Sequence, residues 1–200
     1  MKLILVRHGE TETDNCRRYW GHSDIGLSDS GHAQANSLRE YLSAVRIDAI
    51  YSSPLKRCME TAETIAYGRP LSVNKNNDLK EIDFGRVEGL TYDDVLERYP
   101  DIAQKWAEGS FDVHFPDGEG MEHFAQRVVK FVKMLSKHRE DETLLLVGHG
   151  GVFRILICHF LGIDYKHWWQ FTLGVGSVTV LDIYPEGSIL EKLNDKSHLG

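Results

Sequence analysis

The sequence predicts an α/β protein, a three-layer sandwich in which helices cover both faces of a mostly parallel central sheet. Short apolar runs alternate along the chain with segments of helical period, the pattern of βαβ units. Two of those runs, residues 3–6 and 144–147, each give way to a histidine set beside glycine. No linker, repeat or low-complexity tract divides the 200 residues, and a 42% hydrophobic content suffices for one core. Residues 1–200 are therefore expected to form a single domain.

In chain order, a strand over 2–7 precedes a helix over 30–44. A second strand, 48–52, leads into a helix over 54–67 that opens with capping serines, Ser52 and Ser53, and an early proline, Pro54. A short strand at 71–73 follows, then a glycine-punctuated loop up to Thr91. Helical patterns recur at 91–98, 102–108 and 121–138, the last with Phe124, Val128, Phe131, Val132 and Leu135 on one buried face. A strand at 143–147, a helix at 152–161 and strands at 177–183 and 189–193 complete the sheet. Residues 81–120, with Tyr92, Tyr99, Trp106, Phe111, His114 and Phe115 among acidic side chains, are expected to form a lid, about half of these aromatics packing it down. Trp168 and Trp169 read as packing residues.

The chemistry-bearing residues lie where apolar runs end. Ligands of an open α/β sheet bind beyond the carboxyl ends of its strands, so Arg7, His8 and His149 sit at the expected edge, with Gly9 letting the chain turn. Two strand-end histidines meet if their strands are neighbours. Arg57 falls in the first turn of the second helix, where the helix dipole favours an anion and a guanidinium adds a bidentate clamp. Lys56 beside it reads as a solvated cation. Glu81, Asp83 and Glu88 offer three carboxylates, and spacing does not choose among them. His22, His32, His123, His138, His159, His167 and His198 read as ordinary surface or helix residues.

A net charge of −7 disfavours nucleic acid and anionic membranes as partners, while leaving room for a local basic pocket. Cys16, Cys58 and Cys158 are odd in number and form no CxxC pair, so neither disulfides nor zinc are expected and a reducing cytoplasm fits. The opening apolar run is too short for a signal or membrane segment.

Together, the Leu5-Val6-Arg7-His8-Gly9-Glu10-Thr11 opening, Ser52-Ser53-Pro54-Leu55-Lys56-Arg57, Glu81-Ile82-Asp83-Phe84-Gly85, Pro116-Asp117-Gly118-Glu119-Gly120 before a helix containing Arg127, and Gly148-His149-Gly150-Gly151 carry a resemblance. Over nearly its whole length the chain resembles the histidine phosphatase superfamily, which includes cofactor-dependent phosphoglycerate mutases and small phosphomonoesterases. The resemblance implies a phosphoglycerate mutase-like fold and a phosphoric monoester hydrolase that needs no metal and no cofactor. It makes His8 the nucleophile, Arg7, Arg57 and His149 the phosphoryl ligands, and Glu81 the proton donor. Phosphoryl transfer is mostly positioning and charge stabilisation, which two guanidiniums and an imidazolium supply.

The resemblance extends substrate binding to Asn15, Trp20, Gly21 and Gly150. The family's asparagine six positions after His8 falls on Asp14, so either Asn15 meets the phosphate in a shifted register or that contact is lost. Trp20 reads equally as a packing residue. Within the superfamily, the Glu81-Ile82-Asp83-Phe84-Gly85 and Glu88-Gly89-Leu90-Thr91-Tyr92 segments most resemble α-ribazole phosphatases of cobalamin assembly and broad-specificity small phosphatases. A small phosphorylated metabolite is thus the expected partner, with a homodimer left open. A phosphoglycerate mutase is the alternative, disfavoured by the short chain and acidic lid. A phosphoserine phosphatase is another, similar at residues 192–200 but with Phe84 where its histidine is expected. A catalytically idle binding protein on the same fold is opposed by the intact core positions, and a metallohydrolase of His8, Glu81 and His149 by the lack of a close-spaced ligand motif.

Overall fold

The computed structural model describes residues 1–13 and 18–200. Asn15, like Asp14, lies outside the described residues. The elements are β1 (Lys2–Arg7), α1 (Asp29–Tyr41), β2 (Ala49–Ser52), α2 (Lys56–Ala66), β3 (Val73–Lys75), α3 (Tyr92–Arg98), α4 (Pro100–Ala107), α5 (Met121–Leu135), β4 (Thr143–Gly148), α6 (Gly150–Leu161), β5 (Val178–Tyr184) and β6 (Gly187–Asp195). Short 3₁₀ turns at Asn77–Leu79, Gly85–Val87, Tyr165–Gln170 and Ser197–Leu199 have too little periodicity to be read from sequence.

Among the described residues the strands form one sheet in the order β3-β2-β4-β1-β5-β6. β3, β2, β4 and β1 run parallel, and β5 and β6 are antiparallel to their neighbours. The expected mostly parallel sandwich is therefore found. Alternate strand residues face opposite sides. Ile4, Val6, Ile50, Leu145 and Val147 pack against α1 and α2 through Leu38, Cys58, Ala62 and Ile65. Leu3, Leu5, Tyr51, Leu144 and Leu146 pack with Phe124, Val128 and Phe131 of α5 and Phe153 and Ile157 of α6. Phe131 is fully buried, and truncating it to alanine would cost about 3–5 kcal/mol, a large part of a domain's stability.

Local chemistry sets the ends of the elements. Ser28 caps α1 through Gly31 N–H, Thr91 and Asp94 form a reciprocal capping box on α3, and Pro100 starts α4. Several expectations shift, and α1 and α5 end three residues early, at Tyr41 and Leu135. The α2 N-cap is Leu55 without a side-chain bond, so Ser53 is not the cap. The third strand lies at 73–75 instead of 71–73. α6 begins at Gly150, two residues early, which makes His149 its N-cap. Among the described residues no helix is long and apolar enough to cross a membrane.

Candidate active site

The parallel register of β1 and β4 pairs Val6 with Val147 and Arg7 with Gly148, so the next residues, His8 and His149, emerge side by side at the carboxyl edge. Their rings stand 5.2 Å apart at 64°. His8 N–H donates to Gly148 O at 3.0 Å, tying the two strand ends together. Gly9 has no positive φ; it is there for proximity instead of a turn, since a Cβ would come 2.7 Å from Gly31 O. Gly9 N–H also donates to Thr61 of α2.

His8 Nδ1–H donates to the carbonyl of Gly9 at 2.7 Å, an acceptor that fixes the tautomer and leaves the Nε2 lone pair for chemistry. Burial, then Arg57 and Arg7, hold the His8 pKa well below the usual histidine value, so the ring is neutral. His149 is lowered likewise, by burial first, then by Arg57, His8 and Arg7. Its resting form is therefore imidazole; an arriving phosphate dianion supplies the counter-charge that favours the imidazolium expected to meet the phosphoryl group. His149 Nε2 shares a 2.9 Å hydrogen bond with Ser53 Oγ and lies 3.3 Å from Cys58 Sγ. Burial pushes the Cys58 thiol up to about 12, so it stays a neutral neighbour.

Arg57 is 2% exposed and its guanidinium is already oriented, Nη1 donating to Ser23 O at 2.8 Å and Nη2 to Gly21 O at 2.7 Å. Arg7 Nη1 donates to Leu173 O. Lys56 is exposed and lies near Glu60, the solvated role expected of it.

Geometry separates the three carboxylates. Glu81 accepts from Gly151 N–H at 3.0 Å and Ile82 N–H at 3.1 Å, and lines a cleft of about 250 Å³ with Arg7, Gly150 and Gly151. Gly151 leaves room for the Glu81 carboxylate, which a Cβ at this position would displace. Asp83 instead faces His22 and the N–H of Gly85, and Glu88 is taken up by the loop at 21–23. The Glu81 loop is braced by Arg127, which donates to the carbonyls of Asp78, Lys80 and Glu81 and pairs with Glu119 at 2.7 Å. Burial would raise the Glu119 carboxyl, but Arg127 outweighs it and holds it below the ordinary value. His22, read from sequence as ordinary, bonds Glu81 O through Nε2 at 3.0 Å.

The cleft walls are aromatic: Tyr19, Trp20, Phe84, Trp106 and Trp168. Trp20 is thus placed at the cleft, while Gly21 contributes its carbonyl to Arg57 and is not a wall residue. Trp168 is 4% exposed and packs on Trp106, as expected, yet also faces the cleft; Trp169 is 54% exposed. Arg18 and Arg154, not singled out from sequence, complete the lining. Arg154 donates to Phe171 O at 2.8 Å and lies 5.3 Å from the Trp168 ring centre. Its only advance signal was its position on a helix that begins at the histidine. A larger depression, about 600 Å³ and lined by Phe111, Ala125, Val129 and Tyr165, has two carboxylates but no cation, whereas the smaller cleft holds Arg7, Arg18 and Arg154, so a phosphate ester favours the smaller cleft. Among the described residues no group of three or more His, Cys, Asp or Glu side chains is arranged to hold a metal ion.

Phosphoserine phosphatase 1 of Hydrogenobacter thermophilus is 37% identical to this chain over its whole length and 95% of the relative's. Adenosylcobalamin/alpha-ribazole phosphatase of Escherichia coli is 30% identical over 98% of this chain and 97% of its own. The crystal structure of the alpha-ribazole phosphatase from Shigella flexneri superposes with a TM-score of 0.90 at 31% identity, covering 98% of this chain and 96% of that one. The model of the histidine phosphatase superfamily (branch 1) matches residues 3–196, and the paired strand-end histidines stand within that match: the chain belongs to the histidine phosphatase superfamily.

Proposed function

We propose that this phosphoric monoester hydrolase dephosphorylates a small metabolite through a phosphohistidine at His8, without a metal. One observation carries the mechanism: Arg7 and His8, Arg57, Glu81 and His149, from four separate stretches of sequence, converge at one sheet edge. The Nε2 lone pair of neutral His8 attacks phosphorus in line. The P–O ester bond breaks as the protonated Glu81 gives its proton to the leaving oxygen, a contribution of about 10²–10⁴-fold. Arg7, Arg57 and His149 hold the equatorial oxygens, whose charge they offset. In the second half, ionised Glu81 takes a proton from water, the hydroxide attacks phosphorus, and the P–N electron pair returns to Nε2. Phosphate leaves and Glu81 is protonated again.

The substrate we propose is α-ribazole 5′-phosphate, in keeping with the relatives named for it. The aromatic walls support this reading, since a planar leaving group stacks on such faces. Residues 81–120 act as the lid that supplies Phe84 and Trp106 to the walls. A second reading, phosphoserine, is favoured by Arg154, which has no carboxylate within ion-pair distance among the described residues and suits a substrate carboxylate. A cytoplasmic setting is part of the proposal, in keeping with the free, buried thiols of Cys58 and Cys158.

The test is direct. Rapid quench with ³²P-labelled substrate should trap acid-labile label on His8, and His8→Ala should abolish turnover. Chelators should leave the rate unchanged. Comparing kcat/KM for α-ribazole 5′-phosphate, phosphoserine and 3-phosphoglycerate ranks the substrates. Label on serine, or full activity in His8→Ala, rejects the mechanism.

A further inference from the structure

We infer that Glu88 is a positioning residue for the phosphate clamp: its carboxylate fixes the backbone of residues 21–23, which in turn fixes the Arg57 guanidinium. The inference rests on the proposed role of Arg57 and adds a residue to the same site.

Glu88 Oε1 accepts from Gly21 N–H at 3.0 Å and His22 N–H at 2.8 Å. Oε2 accepts from Ser23 N–H at 3.3 Å and from the Ser23 hydroxyl at 2.6 Å. No Lys, Arg or His of the described residues forms an ion pair with it, so backbone amides and one hydroxyl carry the compensation of a half-buried charge. Two of these residues turn their carbonyls the other way, Gly21 O and Ser23 O receiving Nη2 and Nη1 of Arg57. Peptide groups between an anion and a cation are polarised in one direction, and each bond strengthens the next.

The loop cannot be held this way with any other residue at 21. A Cβ there would overlap Ile82 O and come 2.5 Å from Glu88 Oε1. A guanidinium at the floor of a phosphate site has two degrees of freedom to lose, the swing of its long stem and the rotation of its fork. Two carbonyls at 2.7 and 2.8 Å remove both, provided the carbonyls themselves do not move. Glu88 is what stops them moving, and it does so without touching the phosphate.

The experiment is a double-mutant cycle between Glu88→Gln and Arg57→Lys. Glutamine keeps the size of the side chain but presents an NH₂ to donors that need an acceptor. Glu88→Gln should lower kcat/KM for nitrophenyl phosphate by about 10–100-fold and weaken inhibition by inorganic phosphate and by vanadate by a similar factor, the loss expected of charge-assisted bonds. In the Arg57→Lys background the same change should cost less than about threefold, because the group being positioned is gone. Ser23→Ala, which removes one donor at Oε2 and leaves the charge in place, should weaken phosphate inhibition by about threefold and serves if Glu88→Gln fails to fold. Thermal unfolding of each variant separates a loosened fold from a loosened clamp. Unchanged phosphate and vanadate inhibition in Glu88→Gln or Ser23→Ala, or losses that multiply fully in the double variant, overturn the inference while leaving the mechanism intact. Wild-type activity in Arg57→Lys alone overturns the clamp itself, and with it both readings.

Discussion

Replacing Glu81 by glutamine isolates proton donation with almost no change of shape. Both carboxylate oxygens are in use, Oε1 by Ile82 N–H at 3.1 Å and Oε2 by Gly151 N–H at 3.0 Å. Glutamine can satisfy one and sets an NH₂ against the other, an unsatisfied contact worth about 1–3 kcal/mol. For a chain of this size that lowers Tm by roughly 2–4 °C per kcal/mol, leaving a folded protein. The kinetic loss is larger. Alkyl phosphates leave as strongly basic alkoxides, so removing the acid should cost about 10²–10⁴-fold, or about 3–5 kcal/mol of barrier. Nitrophenyl phosphate leaves unaided, so its first step should be nearly untouched. Stopped-flow absorbance should then show a fast first equivalent of nitrophenol followed by a stall, since the same residue activates water in the second step. Equal burst-phase losses with both substrates would refute the reasoning, and the acid would then have to be sought among other groups, although Asp83 and Glu88 are already bound to His22 and to the loop at 21–23.

Arg57→Lys keeps the charge but cannot serve Gly21 O, Ser23 O and a phosphate fork together, so kcat/KM should fall about 10²–10⁴-fold with the circular dichroism spectrum unchanged; a loss under twofold would make this arginine a mere packing residue. Gly151→Ala adds a methyl that displaces the Glu81 carboxylate, so turnover should drop at least about tenfold while Tm holds or rises, alanine being favoured over glycine in a helix by up to about 1 kcal/mol; normal turnover would show that the Gly151 contact does not position Glu81. His8 and His149 have folded-state values well below the unfolded 6.5, so below that pH the unfolded chain binds more protons than the folded one. Their contribution is complete above about pH 6.5 and is lost as pH falls, at up to about 1.4 kcal/mol per pH unit for each ring. Urea unfolding between pH 7 and 5 should show His149→Gln with a shallower loss than the parent; parallel curves would mean that His149 is not buried neutral.

Much of this protein was legible in one dimension. The period of the apolar residues gave the strand and helix sequence, and Phe124, Val128, Phe131 and Leu135 are buried in the core because a 3.6-residue repeat leaves a helix no other face to hide. The two histidine–glycine strand ends announced a shared edge, because strands of one parallel sheet all end their carboxyl sides together. What sequence could not decide was which groups far apart in the chain face one another. Glu81, Asp83 and Glu88 are equivalent as residues in a loop, and only the approach of Gly151, His22 and Gly21 gives each a separate partner. Ser53 looked like a cap and instead bonds His149, ninety-six residues away. The resting charge state of His149 was not legible for the same reason: a residue type sets the intrinsic affinity for a proton, but burial and the neighbouring Arg57 set the actual one, and both are properties of the folded site.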